Sequence, residues 1–161
     1  MNDELDDFDF PVRFARRPMQ LPATLRPIWA ISAITLSLYS YSRSKRSSLT
    51  RLHVLLWAIM SEERANQLID YTSGNAPRAA LTLRYDPSFD QAVTLAVSEG
   101  LLEYASSGTG VVLTQEKGVM LGQSIKDDAM LLASEKHLLD KVAKRITQDL
   151  VDRLVTSGGG A

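Results

Sequence analysis

VSEGLLEYASSGTGVVLTQEKG, residues 97–118, is the stretch whose reading decides the fold. It opens on the end of an apolar helical pattern, which Gly100 closes. Two short apolar runs follow, residues 101–104 and 111–114, separated by Ser106-Ser107-Gly108-Thr109-Gly110. Segments suited to β structure around residues that tolerate positive φ predict a two-stranded hairpin. Thr114 stands three residues before Lys117 and four before Gly118, and a new helix is expected from 114 or 115 to 125.

Working outward, Asp86-Pro87 starts the helix before the hairpin, with Phe89, Ala92, Val93, Leu95, Ala96 and Val97 as its apolar set. Residues 79–85, AALTLRY, alternate and predict a short strand. Ser61 is placed to cap a helix over 62–71, whose first-turn acids suit the helix dipole. Residues 49–60 form another helix, capped by Ser47 or Ser48, with Leu52, Leu55, Leu56 and Ile59 on one stripe. Residues 42–48, SRSKRSS, read as a polar basic loop. The first helix, from 26 or 27 to 41, has Pro27 where a missing N–H costs nothing. It is apolar on most sides and is therefore expected at the centre. Helix, helix, short strand, helix and hairpin resembles a winged helix-turn-helix core with flanking helices, a mainly α fold with a small β wing.

Downstream, residues 130–155 predict one long amphipathic helix with Leu131, Leu138, Leu139, Val142, Ile146, Leu150 and Leu154 on one stripe. Two readings stand side by side. The stripe packs on its own domain, or Leu139, Val142, Ile146 and Leu150 form a partner interface. The chain accordingly divides into an extended arm (1–23), the winged-helix domain (24–128), the C-terminal helix (129–156) and a flexible tail (157–161).

Composition is that of an ordinary globular protein: 161 residues, 45% hydrophobic and 23% charged. There is no cysteine, which excludes disulfides and thiolate metal sites. His53 and His137 lack ligand-like spacing, so no metal and no cofactor is expected. Residues 27–41 are fewer than the roughly 20 needed to span a bilayer, and a cytoplasmic protein without membrane contact is expected.

Net charge is only −1, but its distribution is uneven. Asp3, Glu4, Asp6, Asp7 and Asp9 crowd the first ten residues, and no acid follows until Glu62. Phe8, Phe10, Val12 and Phe14 alternate from this acidic tip into the basic part of the arm, so the arm reads as a strand that docks on a sheet edge or as a plain tail. As a docking strand it makes Phe8, Phe10 and Phe14 candidate partner-binding residues. Arg43, Lys45, Arg46 and Arg51 form a candidate patch for nucleic acid or for an acidic partner. A DNA-reading domain of this type lays the helix before the hairpin in the major groove. Here that helix carries Asp90 and Glu99, with only Gln91 as a base reader, and the hairpin loop has no Lys or Arg. Protein contact is the better expectation for that surface.

No catalytic residue is identified. Gly122-Gln123-Ser124 lacks the second glycine of a nucleophile elbow, and Gly108-x-Gly110 lacks dinucleotide spacing. Asp127-Asp128 reads as a helix cap.

The longer pattern is LTRLHVLLWAI, a segment ending in Tyr85-Asp86-Pro87, a helix, Glu99-Gly100-Leu101-Leu102, and then Leu113-Thr114-x-x-Lys117-Gly118. Over about residues 25–126 it resembles the middle component of bacterial three-component ABC-ATPase defence systems, including the Lamassu type. That resemblance implies a non-catalytic adaptor between an SMC-like ATPase subunit and an effector subunit, with any DNA contact made through the complex. It carries over no active site and leaves oligomeric state open. The alternative is a winged-helix transcription regulator that dimerises through its last helix.

Overall fold

In the computed structural model, which describes residues 26–156, Pro27 lies in the first turn of α1 (Arg26–Tyr41). Residues 33–38 of this helix are 0–1% exposed on every side, so α1 is the axis of the core, as its apolar sequence predicts. The helices α2 (Leu49–Ile59), α3 (Glu62–Thr72), α4 (Pro87–Ser98) and α5 (Lys117–Asp127) surround it. The side chains of Ser48, Ser61 and Asp86 accept the backbone N–H of Arg51, Arg64 and Ser88. These caps fix three helix starts from local sequence alone. Mainly helical structure with one small antiparallel sheet is the class of the described residues.

The sheet has three strands, and the one added to the hairpin is not the strand expected over 79–85. Strands β2 (Leu102–Tyr104) and β3 (Gly110–Leu113) form the hairpin, and β1 (Arg46–Ser48) pairs antiparallel with the other edge of β3. Arg46 faces Val112, and Ser48 faces Gly110. Residues 42–48 are thus not simply a loop: a single 3₁₀ turn, Arg43–Lys45, leads into a strand without one apolar residue. Gly110 permits the pairing, since a Cβ there would lie 2.7 Å from the Ser47 carbonyl oxygen.

The strand expected over 79–85 does not form. A 3₁₀ turn, Arg78–Ala80, is followed by unpaired extended chain. Side chains replace the ladder there. Trp57 Nε1 donates to the Thr82 carbonyl at 3.3 Å, and the Asp86 N–H donates to His53 Nε2 at 3.3 Å.

The motif around Thr114 locks the hairpin between two helices. The Thr114 hydroxyl donates to the Gly100 carbonyl at 2.7 Å and accepts the Gly118 N–H at 2.8 Å. Gly100 has φ +73, the left-handed conformation that ends α4 without strain only in glycine. α5 begins at Lys117, after the Thr114 that heads it.

The single helix expected over 130–155 is two helices, α6 (Ala133–Val142) and α7 (Gln148–Thr156). The Thr147 hydroxyl accepts the Leu150 N–H and starts α7 afresh. Arg51 Nε takes the Ile146 carbonyl at 2.8 Å, a group that an unbroken helix would use itself. Leu138, Leu139, Val142, Ile146, Leu150 and Leu154 are all buried in the same core as α1 and α2. The partner-interface reading of Leu139, Val142, Ile146 and Leu150 is therefore corrected: these side chains have no free surface to offer. Residues 129–156 likewise belong to the body of the domain. Tyr41 Oη donates to Asp140 Oδ1 at 2.5 Å, and Trp29 Nε1 donates to Glu135 Oε1 at 2.8 Å, tying both ends of α1 to α6.

Asp128 caps the turn before α6 rather than the helix itself. Its Oδ1 accepts the N–H groups of Leu131 and Met130, which hold the carboxyl below the usual carboxylate range, the Leu131 bond first. A carboxyl that is more acidic folded than unfolded stabilises fully above its unfolded pKa of about 4, and loses that contribution as pH falls through the folded value. Asp128→Asn is thus expected to flatten the fall in melting temperature below about pH 4. Parallel acid limbs in the two melting curves would refute this.

Candidate functional site

Two surfaces gather groups that recognise other molecules. The first is a groove of about 650 Å³ bounded by the start of α1, by α2 and the α2–α3 junction, by residues 82–89 and by Glu135 of α6. That volume lies within the roughly 300–1,000 Å³ typical of ligand clefts. Its floor is apolar and buried: Ala30, Leu56, Trp57 and Phe89. His53 stands in its wall, stacked on Tyr85 with ring centroids 5.0 Å apart and tilted against Phe89 at 4.7 Å. Its Nε2 accepts the Asp86 N–H, so His53 is a hydrogen-bonded, packed histidine. Met60 and Tyr85 are 51% and 66% exposed at the rim, unusual for side chains of their size.

Two arginines line the same groove. Arg64 sets its guanidinium 5.9 Å from the Trp57 ring centroid, and Arg84 is exposed. Among the described residues the one ion pair is Lys141 with Glu62, so neither groove arginine is paired with a carboxylate there. The groove's own acids are engaged. Glu135 accepts from Trp29, and Asp86 caps Ser88. Aromatic walls with guanidinium groups that meet no carboxylate among the described residues suit an extended chain bearing aromatic and acidic side chains.

The second surface is the basic patch. Arg43 and Arg46 are exposed, and Lys45 places Nζ 5.6 Å from the Tyr39 ring centroid. Lys126 of α5 approaches the same ring at 5.9 Å, adding a cation that lies far off in sequence. Arg51 does not belong to this patch. Its guanidinium reaches Ser42 Oγ, Ser47 Oγ and the Tyr41 and Ile146 carbonyls, and burial lowers its pKa. It is an internal clamp between the end of α1, β1 and the α6–α7 link, which corrects its place among the surface contacts. Phe8, Phe10 and Phe14 lie outside the described residues.

On the face formed by α4 and the hairpin, Asp90, Gln91, Thr94, Leu95, Ser98, Glu99, Glu103 and Tyr104 are exposed. Neither element contains a Lys or Arg. Among the described residues no group of three or more His, Asp or Glu is placed to hold a metal, and no helix is long and apolar enough to cross a membrane.

Sequence reading missed the groove. Trp29, His53, Trp57, Arg64, Arg84, Tyr85 and Phe89 come from four separate segments, and no spacing links them. The one local signal was Arg-Tyr-Asp-Pro at 84–87, an exposed aromatic beside a cation at a helix start. No family model, no curated protein and no solved structure matches the sequence.

Proposed function

We propose that this chain is a winged-helix subunit that binds proteins rather than reading DNA. In this reading it is a non-catalytic adaptor that joins an SMC-like ABC ATPase to an effector within a bacterial defence complex. The winged-helix part rests on the order α1, β1, α2, α3, α4, β2, β3, with β1 beside β3 and α4 leading into the hairpin. One observation carries the choice of partner. The helix and hairpin that would enter a DNA groove present Asp90, Glu99 and Glu103 and carry no Lys or Arg of their own, Lys117 of α5 reaching only their edge at the Glu99 carbonyl, and acids set against phosphates repel. The aromatic groove supplies a surface for protein instead. The ATPase and effector enter from the sequence resemblance alone.

Affinity purification of the tagged chain from its native cells at moderate salt, read by mass spectrometry, tests this. An SMC-like ATPase is expected in the eluate. Arg84→Glu with Tyr85→Ala is expected to reduce its recovery about tenfold, the scale of losing one interface anchor. Recovery of DNA alone, with tight binding to one promoter sequence, would overturn the adaptor in favour of the transcription regulator. The observation behind that second reading is the pair Lys45 and Lys126 around Tyr39, with Arg43 and Arg46 exposed beside Lys45 in sequence. Charge reversal at Lys45 and Arg46 would then abolish binding, whereas an adaptor keeps its ATPase through that change.

A further inference from the structure

The groove between α1, α2 and residues 82–89 has an apolar floor, a rim of exposed Met60 and Tyr85, and two arginines without a carboxylate partner among the described residues. We infer that in the free chain this groove is filled by the chain's own N-terminal segment around Asp6-Asp7-Phe8-Asp9-Phe10. This concerns the isolated protein and holds whether or not the adaptor reading does.

Three features argue for this occupant. First, chemistry: in extended chain, Phe8 and Phe10 point one way while Asp7 and Asp9 point the other. The rings can then enter the aromatic floor while the carboxylates meet Arg64 and Arg84 at the rim. Glu135 and Asp86 already accept hydrogen bonds from Trp29 and Ser88, and among the described residues neither Arg64, which donates to Met60 Sδ and lies over the Trp57 ring, nor Arg84 has a carboxylate partner. Second, no other stretch of the chain combines aromatic residues with acids so densely: five acids and two phenylalanines stand in the first ten residues. Third, tethering: α1 begins at Arg26, and Trp29 of its first turn already lines the groove. The sixteen steps from Phe10 to Arg26 span up to roughly 50 Å extended, and about 22 Å as a random coil. A tether of that length holds the segment at an effective concentration of order mM, so even a weak contact is occupied.

The two tryptophans of the chain, Trp29 and Trp57, both line the groove, so intrinsic fluorescence reads its occupancy directly. The test compares acrylamide quenching of the full chain with that of Phe8→Ala/Phe10→Ala in the same full chain. Far-UV circular dichroism serves to establish an unchanged fold. Because a docked segment excludes solvent from the surface it covers, the double variant is expected to quench about twofold more strongly, with red-shifted emission. Arg64→Glu/Arg84→Glu is expected to open the groove likewise, and adding Asp7→Lys/Asp9→Lys to it is expected to restore protection. Equal quenching in wild type and the phenylalanine variant overturns the inference. Protection that is lost on roughly hundredfold dilution overturns it too, because it assigns the groove to the arm of a second copy.

Discussion

Ile146→Asp is expected to leave the chain largely unfolded at neutral pH. Ile146 is 1% exposed in the link between α6 and α7, in the same core as Leu139, Leu150 and Leu154. The substitution loses about 1.5–3 kcal/mol of apolar burial and adds several kcal/mol for an unpaired buried carboxylate. The sum is comparable with the whole stability of a domain this size, about 5–15 kcal/mol. The side chain points into its own core, so the loss is unimolecular, and the denaturation midpoint should not depend on protein concentration. Acidification is the informative variable. Burial raises the folded pKa of the new carboxyl, so its penalty is greatest above that value and shrinks as pH falls through it. The variant should therefore recover helicity between about pH 7 and pH 4, before general acid unfolding. Ile146→Val should cost only about 0.5–1.5 kcal/mol. A cooperative melt close to wild type for Ile146→Asp would show that this position is not core.

Gly118→Ala is the second large effect, and its sign opposes helix propensity. Alanine in a helix is normally better than glycine by about 1 kcal/mol. At Gly118, however, a Cβ would lie 2.2 Å from the Leu101 carbonyl oxygen, 3.0 Å from Thr114 Oγ1 and 3.2 Å from Leu113 Cδ2. The nearest atom is backbone, so no rotamer change relieves the clash. Either α5 or the start of the hairpin must move, which disturbs the bond from Thr114 N–H to the Leu101 carbonyl and the cap of Gly118 N–H on Thr114 Oγ1. A loss of roughly 2–4 kcal/mol is expected in urea or guanidinium unfolding. Gln123→Ala, at an exposed position of the same helix, serves as the neutral control. Equal stability of Gly118→Ala and wild type would mean that the hairpin and α5 are not held as tightly as this packing requires. The same contact explains the sequence pattern that first marked the hairpin. Leu-Thr-x-x-Lys-Gly places a hydroxyl that bridges two backbones and a glycine where they touch.

The sites divide in the same way as the fold. The acidic face of α4 and the hairpin was legible because each element carries its own charges. The basic patch was half legible: Arg43, Lys45 and Arg46 fall within four residues, but Lys126 joins them only through the packing of α5 on α1. Arg51 looked like their neighbour and is instead an internal clamp, because the turn of α2 aims it at the α6–α7 link. Burial within the chain, rather than a partner, explains the stripe through Leu139, Val142, Ile146 and Leu150.

By itself the sequence determined what short-range chemistry can specify. Ser61 and Asp86 fixed the starts of α3 and α4, Ser47-Ser48 narrowed the start of α2 to two residues, Gly100 fixed the end of α4, and the SSGTG loop fixed the hairpin. Each of these uses hydrogen bonds or backbone angles within a few residues, and each reads correctly without the rest of the chain. Only the tertiary structure decided that Arg46-Ser47-Ser48 is a strand, that residues 79–85 are not, that residues 130–155 break at Ile146, and that four distant segments enclose an aromatic groove. In every one of these the deciding partner is remote: β3 for the strand, Trp57 and His53 for residues 79–86, Arg51 for the break. A backbone group takes whichever partner the packed core brings to it, and local propensity, worth at most about 1 kcal/mol per residue, yields to that.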